Sequence, residues 1–411
     1  MEFRQATLEN GLDVVAEVNP NARSLATAFF VKTGARDETA EVAGVSHFLE
    51  HMVFKGTARR SAEDVNRELD ELGAQSNAFT SEEQTVYYAV VLPELQSQVI
   101  DLLSDIMRPT LRQDDFDTEK KVILEEIMKY DDQPPYGGHE KSMAAWFGDH
   151  PLGNSVLGTQ QSVGDLTREQ MLAYFENRYS PTNMALVATG NVDFDALVRQ
   201  AEEICSGWQP HQVTRNTDRP RGHRNFQLFT KESSIQQYVI QMAESPATED
   251  ENRYAARLLA TIMGDDVGSR FYWELVDPGL AEFAAMEAYE FQGCGVMMNY
   301  LCCAPQDTQR VMDVVGREVE KLMNDGITQR ELDLAKTKVC SHAVLRSERP
   351  SSRLFSVGSG WTQRGKLRSV QETVQAYQKV TLADIGQLLE QYDLRTTSTT
   401  TVGPLTSLNL P

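Results

Sequence analysis

His47-Phe48-Leu49-Glu50-His51 sets two imidazoles four residues apart with a carboxylate between them. On a helix, residues i and i+4 lie one turn apart on the same face, so both rings can reach one cation while Glu50, at i+3 from His47, sits beside them. That supplies two metal ligands and a base. A zinc site that performs hydrolysis takes three protein ligands and leaves a fourth position to water, so a further ligand must come from elsewhere in the chain.

The motif falls where the pattern predicts a helix, from about Val42 to Phe54, with Val45, Leu49, Met52 and Val53 available for a core and Gly56 as a stop. Strand signals precede it at Phe3 to Leu8, Leu12 to Val18 and Leu25 to Val31. Ser61, with Asp64 three residues on, reads as a capping box that opens a second helix ending at Gly73. Ser76 to Val91 returns to strand, and helices are expected from Leu95 to Met107 and from Phe116 to Tyr130.

With 411 residues the chain exceeds what one hydrophobic core usually organises, so two domains are expected. An apolar fraction of 41% with 24% charged residues is that of a folded protein with a core to bury. Asp and Glu number 60 against 39 Lys and Arg, a net charge of -21, which argues against a nucleic-acid partner. If part of that charge lines a substrate cavity, it would attract basic peptides. The five cysteines, Cys205, Cys294, Cys302, Cys303 and Cys340, are odd in number and include no Cys-x-x-Cys spacing, so buried or free thiols of a reducing compartment are expected. Met1 to Leu8 has no basic region followed by an apolar stretch, and no segment reaches membrane-spanning length; the expected location is the cytoplasm, with no membrane partner.

Regular patterning stops between Trp208 and Asn225, where Gln209-Pro210-His211 and Arg219-Pro220-Arg221-Gly222 are rich in breakers. The expected division is therefore 1–208, a linker at 209–224, and 225–411. The two halves also repeat. Phe116-Asp117 with Lys120 parallels Leu332-Asp333 with Lys336, Leu166-Thr167 parallels Val380-Thr381, and the strand ending at Gly190 parallels the one ending at Gly403. These offsets are nearly constant, so two homologous α+β domains follow.

Beyond its five motif residues, the first half carries Gly34-Ala35-Arg36-Asp37-Glu38, Gly44-Val45-Ser46, Phe54-Lys55-Gly56-Thr57, Asn77-Ala78-Phe79-Thr80 and Asp149-His150-Pro151-Leu152-Gly153. In these the chain resembles the pitrilysin, insulysin and mitochondrial-processing-peptidase family, M16, in its short two-domain form, whose signature is the inverted His-x-x-Glu-His. The resemblance covers residues 1 to 208 and extends more weakly over the rest. It implies an α+β fold of two homologous α/β-sandwich domains, with mostly antiparallel sheets and helices on one face. The family's third ligand is a glutamate on a later helix of the form Val-Ile-Leu-x-Glu; in Val122-Ile123-Leu124-Glu125-Glu126 the apolar run places it at Glu126, with Glu125 as the fallback.

Zinc is the cofactor so implied, with Glu50 as the catalytic base and Glu119 as a carboxylate that orients a ligating histidine. Seven residues make almost two turns, so Glu119 and Glu126 share a helix face. Asn77, Ala78 and Phe79 resemble the family's edge strand, which binds an extended peptide through main-chain hydrogen bonds. The second half lacks the motif, and the repeat puts His342 opposite Glu126, so no second metal site is expected. Family members also place an Arg and, seven residues on, a Tyr in that half; an ungapped reading puts Val276 and Phe283 there. The resemblance implies a metalloendopeptidase on peptides or unfolded segments, paired as a homodimer or as a heterodimer with a related subunit. A processing peptidase for basic leader peptides, or a non-catalytic peptide-binding or assembly subunit, are the alternatives.

Overall fold

A computed structural model describes residues 1–408. Strands β1 (Glu2–Thr7), β2 (Asp13–Val18), β3 (Leu25–Val31), β4 (Gln75–Thr80), β5 (Thr85–Val91) and β6 (Met184–Gly190) form one sheet in the order β1-β2-β6-β3-β5-β4. A second sheet runs β7-β11-β8-β10-β9 and is built from β7 (Phe226–Thr230), β8 (Gln237–Ser245), β9 (Phe283–Phe291), β10 (Cys294–Cys303) and β11 (Ser398–Gly403). Each sheet has a single parallel pair, β2 with β6 and β11 with β7, and every other pairing is antiparallel. Reading β2, β6, β3, β5 and β4 against β7, β11, β8, β10 and β9 gives one topology twice. The repeat read from spaced sequence matches is therefore a repeat of architecture.

The helices are α1 (Val45–Val53), α2 (Ala62–Glu71), α3 (Gln96–Ile106), α4 (Gln113–Asp132), α5 (Gly138–Phe147), α6 (Gln160–Asp165) and α7 (Arg168–Arg178). They continue with α8 (Phe194–Cys205), α9 (Arg253–Gly264), α10 (Thr308–Asp325), α11 (Gln329–Ser347), α12 (Pro350–Arg364), α13 (Val370–Lys379) and α14 (Leu382–Gln391). The expected capping box is present, since the Ser61 hydroxyl accepts from Asp64 N–H and the Asp64 carboxylate takes Ser61 N–H. Thr167 and Thr381, the paired helix starts of the two halves, cap α7 and α14 in the same way.

Two compact units result: 1–129 with 154–216 and 346–368, and 130–153 with 217–345 and 369–408. Each unit thus includes a helix from outside its main stretch of sequence, α12 in the first and α5 in the second. Residues 209–224 carry neither helix nor strand.

In the first unit β3 shows why two layers of helix are needed. All seven of its residues are buried. Alternate side chains of a strand point to opposite faces, so Leu25, Phe29 and Val31 join the main core with α1, α3 and α4, while Ala26, Ala28 and Phe30 face the other way. That back face is closed by Leu354 and Val357 of α12, each contributing roughly 1.5–3 kcal/mol of burial. A Cβ at Gly358 would lie 2.1 Å from the Phe30 ring, so α12 approaches this closely because it has glycine there. Arg353 pairs with the buried Glu17 carboxylate at 2.5 and 3.0 Å, Trp361 Nε1 donates to Asp13, and the Thr189 hydroxyl donates to the Pro350 carbonyl.

The second unit repeats the plan. Val239, Leu301 and Ala243 pack with Leu258, Leu259 and Met263 of α9 and with Val311 and Val315 of α10. On the back face Met143, Trp146 and Phe147 of α5 cover Ile240, Met242, Val296 and Met298. All five cysteines are buried thiols outside any disulfide. Among the described residues no helix is long and apolar enough to cross a membrane.

Candidate metal centre

Helix α1 is short, and its burial holds it in place. Val45, Phe48, Leu49, Met52 and Val53 are inside, and the Phe48 ring stacks on Phe116 of α4 with centroids 4.7 Å apart. That contact sets α1 against α4, whose Phe116, Ile123 and Ile127 are also buried. The remaining face of α1 carries His47, Glu50 and His51, and the facing stripe of α4 carries Glu119 and Glu126. Glu125 is exposed, so the apolar phase of α4 selects Glu126 of the two neighbouring carboxylates.

His47, His51 and Glu126 each offer a ligand atom, and all three atoms lie within 4.8 Å of one another. Glu126 Oε2 is 3.9 Å from His47 Nε2 and 3.6 Å from His51 Nε2. Those separations are too long for hydrogen bonds and suit atoms that share a cation at about 2.0–2.2 Å from each. His47 Nδ1 is buried with no hydrogen-bond partner among the described residues, and Nε2 is the nitrogen that faces Glu126 and is placed to take a cation. Two imidazoles and one carboxylate are a donor set suited to catalytic zinc.

The surroundings prepare these groups. Burial, with the neighbouring His51, pushes His47 down to about 4, so it stays neutral and able to ligate. For His51 burial acts downward too, but the Glu119 hydrogen bond and the charges of Glu126, Glu119 and Glu50 outweigh it and hold the ring above its ordinary value. Glu119 Oε1 meets His51 Nδ1 at 2.9 Å and leaves Nε2 turned toward Glu126. The other Glu119 oxygen is 2.5 Å from Lys55 Nζ. Burial raises Glu119, yet its bonds to His51 and Lys55 win and keep it below the usual carboxylate range. Glu50 moves the opposite way: burial raises it, against a bond from the Thr80 hydroxyl to Oε2 at 2.6 Å.

Thr80 ends β4, the edge strand, which among the described residues pairs only with β5. Asn77 is exposed and Ala78 partly so, and both line a cleft of about 300 Å³ together with Glu50, His51, Phe54, Lys55, Asn66 and Glu119. Phe79 points to the back face, its ring 5.7 Å from Phe355 of α12. Of the three residues expected along the substrate edge, Asn77 and Ala78 line the cleft; alternation along β4 turns the Ala78 side chain toward the main core and puts Asn77 on the same face as Phe79. Lys55 and Thr80 were assigned no role from sequence. Each belongs to a stretch that carried the family resemblance, and no spacing rule ties a lysine or a threonine to a carboxylate on another element.

In the second unit the repeat sets His342 on α11, where it is exposed, and the described residues hold no second cluster of potential ligands. Val276 is partly buried against the second core and Phe283 is half-exposed at the start of β9.

Residues 13–160 match the family model described as Insulinase (Peptidase family M16), and residues 165–339 match Peptidase M16 inactive domain. The chain is 34% identical over 408 residues to an uncharacterized zinc protease of Mycobacterium tuberculosis, an alignment covering 98% of this chain and 93% of that protein. An uncharacterized zinc protease of Bacillus subtilis is 29% identical over 391 residues, 95% of each chain. The crystal structure of a protease from Helicobacter pylori has the same fold, with a TM-score of 0.91 at 21% identity over 98% of this chain and 99% of that one. Two family models in succession and a full-length relative at 34% identity place this chain in peptidase family M16.

Proposed function

We propose that this chain is a zinc-dependent endopeptidase that cleaves peptides or unfolded segments. The observation that carries the reading is the convergence of His47, His51 and Glu126 within 4.8 Å, with the raised carboxylate of Glu50 one position from His51. The naming of full-length relatives as zinc proteases supports it.

His47, His51 and Glu126 would hold a zinc ion, which would supply a Lewis acid able to lower the pKa of a water molecule and polarise a scissile carbonyl. Glu50, made more basic by its burial, takes the proton from the attacking water and passes it to the leaving amine. The Thr80 hydroxyl fixes one oxygen of that carboxylate. Glu119 clamps the His51 ring by Nδ1, and Lys55 balances the charge of the clamp. The unpaired edge of β4 offers main-chain donors and acceptors to an extended segment, a mode of binding that favours unfolded chains over folded ones. Pairing of two such chains, alike or related, is part of the proposal, and light scattering checks it: twice the chain mass supports it, and an active monomer removes it.

A second reading, a peptide-binding subunit without turnover, draws on Val276 and Phe283 standing where many family members have Arg and Tyr. Restriction to basic leader peptides is a narrower form of the first reading and is favoured by the net charge of -21. One experiment separates the classes: metal analysis of the purified protein, then peptide-library hydrolysis before chelation, after it, and after zinc is restored. The endopeptidase reading expects about one zinc per chain and cleavage that disappears and returns with the metal. Bound zinc with no cleavage of any peptide supports the second reading. Absence of a bindable metal removes the endopeptidase reading and leaves the second.

A further inference from the structure

The metal helix has no cap of its own. A helix begins with four N–H groups that no carbonyl within it can accept, and the N-cap position of α1 is Gly44, left-handed at φ +91° and without a side chain to offer. A Cβ there would lie 2.7 Å from the Leu157 carbonyl oxygen, which excludes the usual Ser, Thr or Asp. The cap comes instead from Glu38. Gly44 N–H donates to its Oε2 and Ser46 N–H to its Oε1, both at 2.7 Å, so one carboxyl holds the chain on either side of Val45.

Glu38 is itself fixed. It is 4% exposed, and its carbonyl and that of Ala35 accept from Asn154 Nδ2. Its neighbours are locked as well, with Arg36 paired to the buried Glu83 and Asp37 held by Arg215 and Arg178. A second line reaches the same turn, since the Ser46 hydroxyl is 2.7 Å from the Tyr174 hydroxyl, which is 2.7 Å from that of Thr33. Burying a carboxyl is costly, and burial pushes this one up to about 8. The fold does not require the expense. Helix α9, in the corresponding place of the second unit, starts at Asn252, whose N–H donates to the partly exposed Asp250 two residues earlier, without a buried carboxyl.

We infer that Glu38 is a positioning residue for the metal centre: by binding the N–H groups of Gly44 and Ser46 it sets the rotation of the first turn of α1, and so the direction in which His47, Glu50 and His51 are presented. The inference rests on reading His47, His51 and Glu126 as the metal ligands. It asks for two acceptor oxygens, which a carboxyl offers whether or not it is protonated and which an amide cannot offer.

Glu38→Gln keeps the shape and removes one of the two bonds, while Glu38→Asp keeps both oxygens and shortens their reach. Zinc affinity, by competition with a chromophoric chelator, falls about 10- to 100-fold in Glu38→Gln, as for other groups that orient ligands, and less in Glu38→Asp. The absorption bands of the cobalt(II)-substituted protein shift with the ligand directions, and peptide hydrolysis loses kcat with KM unchanged. A group that only stabilises the fold would lower the melting temperature and leave zinc affinity and the cobalt spectrum alone; that result in Glu38→Gln, or in Glu38→Asp should the amide variant not fold, overturns the inference. Unaltered protein that binds no zinc overturns the reading of the ligands instead.

Discussion

Helices α1 and α9 occupy matching places in two sheets of the same topology, α1 between β3 and β4 and α9 between β8 and β9. Ten of the twelve residues of α9 are buried, and the set is almost wholly apolar. It packs so closely that a Cβ at Gly264 would meet the Met286 nitrogen at 2.0 Å. Helix α1 buries a histidine, stands over a carboxylate at Glu50, faces two more on α4 and is capped by a fourth at Glu38. The comparison separates what the fold needs from what chemistry needs: an apolar helix closes the layer, whereas buried ionisable groups on α1 add cost without adding closure.

Experiments can break that contrast. The largest effect is expected for Glu50→Gln, which should reduce peptide hydrolysis by about 10²–10⁴-fold with zinc content unchanged; near-normal turnover would show that the base lies elsewhere. Glu119→Gln keeps a hydrogen bond to His51 and loses the charge, so zinc affinity should drop about 10- to 100-fold, as measured by chelator competition. Unchanged affinity would reduce Glu119 to an ordinary helix carboxylate.

A smaller effect concerns pH. The Glu38 carboxyl, ordinarily near 4.5, is raised to about 8 by burial, with Asp37 adding to the rise and the Ser46 and Gly44 hydrogen bonds opposing it. Between those values the folded state keeps a proton that the unfolded chain releases. Its contribution to stability is therefore full below the ordinary carboxyl range and is lost as pH rises through about 8. In metal-free protein the unfolding free energy of the unaltered chain relative to Glu38→Gln should decline from about pH 5 to pH 8 in denaturant titrations. The buried Tyr174, the other titratable group facing this carboxyl, is pushed upward and stays neutral over that range. A difference that is flat with pH would contradict the assignment. The smallest effect is none at all: His342→Ala, at the position that answers to Glu126, should leave zinc content and turnover unchanged, and a loss of either would mean that the second unit takes part in metal binding.

Some of this was legible in the sequence and some was not, for identifiable reasons. The pair His47 and His51 could be read because a helical pitch converts a spacing of four into a shared face. Choosing Glu126 over Glu125 depended on laying the family's Val-Ile-Leu-x-Glu run over Val122-Ile123-Leu124-Glu125-Glu126, and the structure turns Glu125 outward. The duplication was readable because helix caps and strand ends recur at a fixed interval. Thr80 on Glu50, Lys55 on Glu119 and Glu38 on the start of α1 were not readable, since each joins groups brought together by packing, and composition says nothing of which carboxylate a donor will meet. The placing of α12 against β3 and β6 was hidden for a related reason. An amphipathic helix declares that it has an apolar face, but not which sheet will cover it.

That helix has a consequence for how the protein is made. The first sheet is complete in sequence at Gly190, yet the residues that cover its back face begin only at Pro350. While the intervening chain is still on the ribosome, Ala26, Ala28, Phe30, Ala185 and Val187 have no partner layer, and a nascent half-molecule presents an apolar surface open to aggregation. The metal-bearing half of this chain thus reaches its final packing late in translation, and a fragment cut at the apparent midpoint would leave that surface bare.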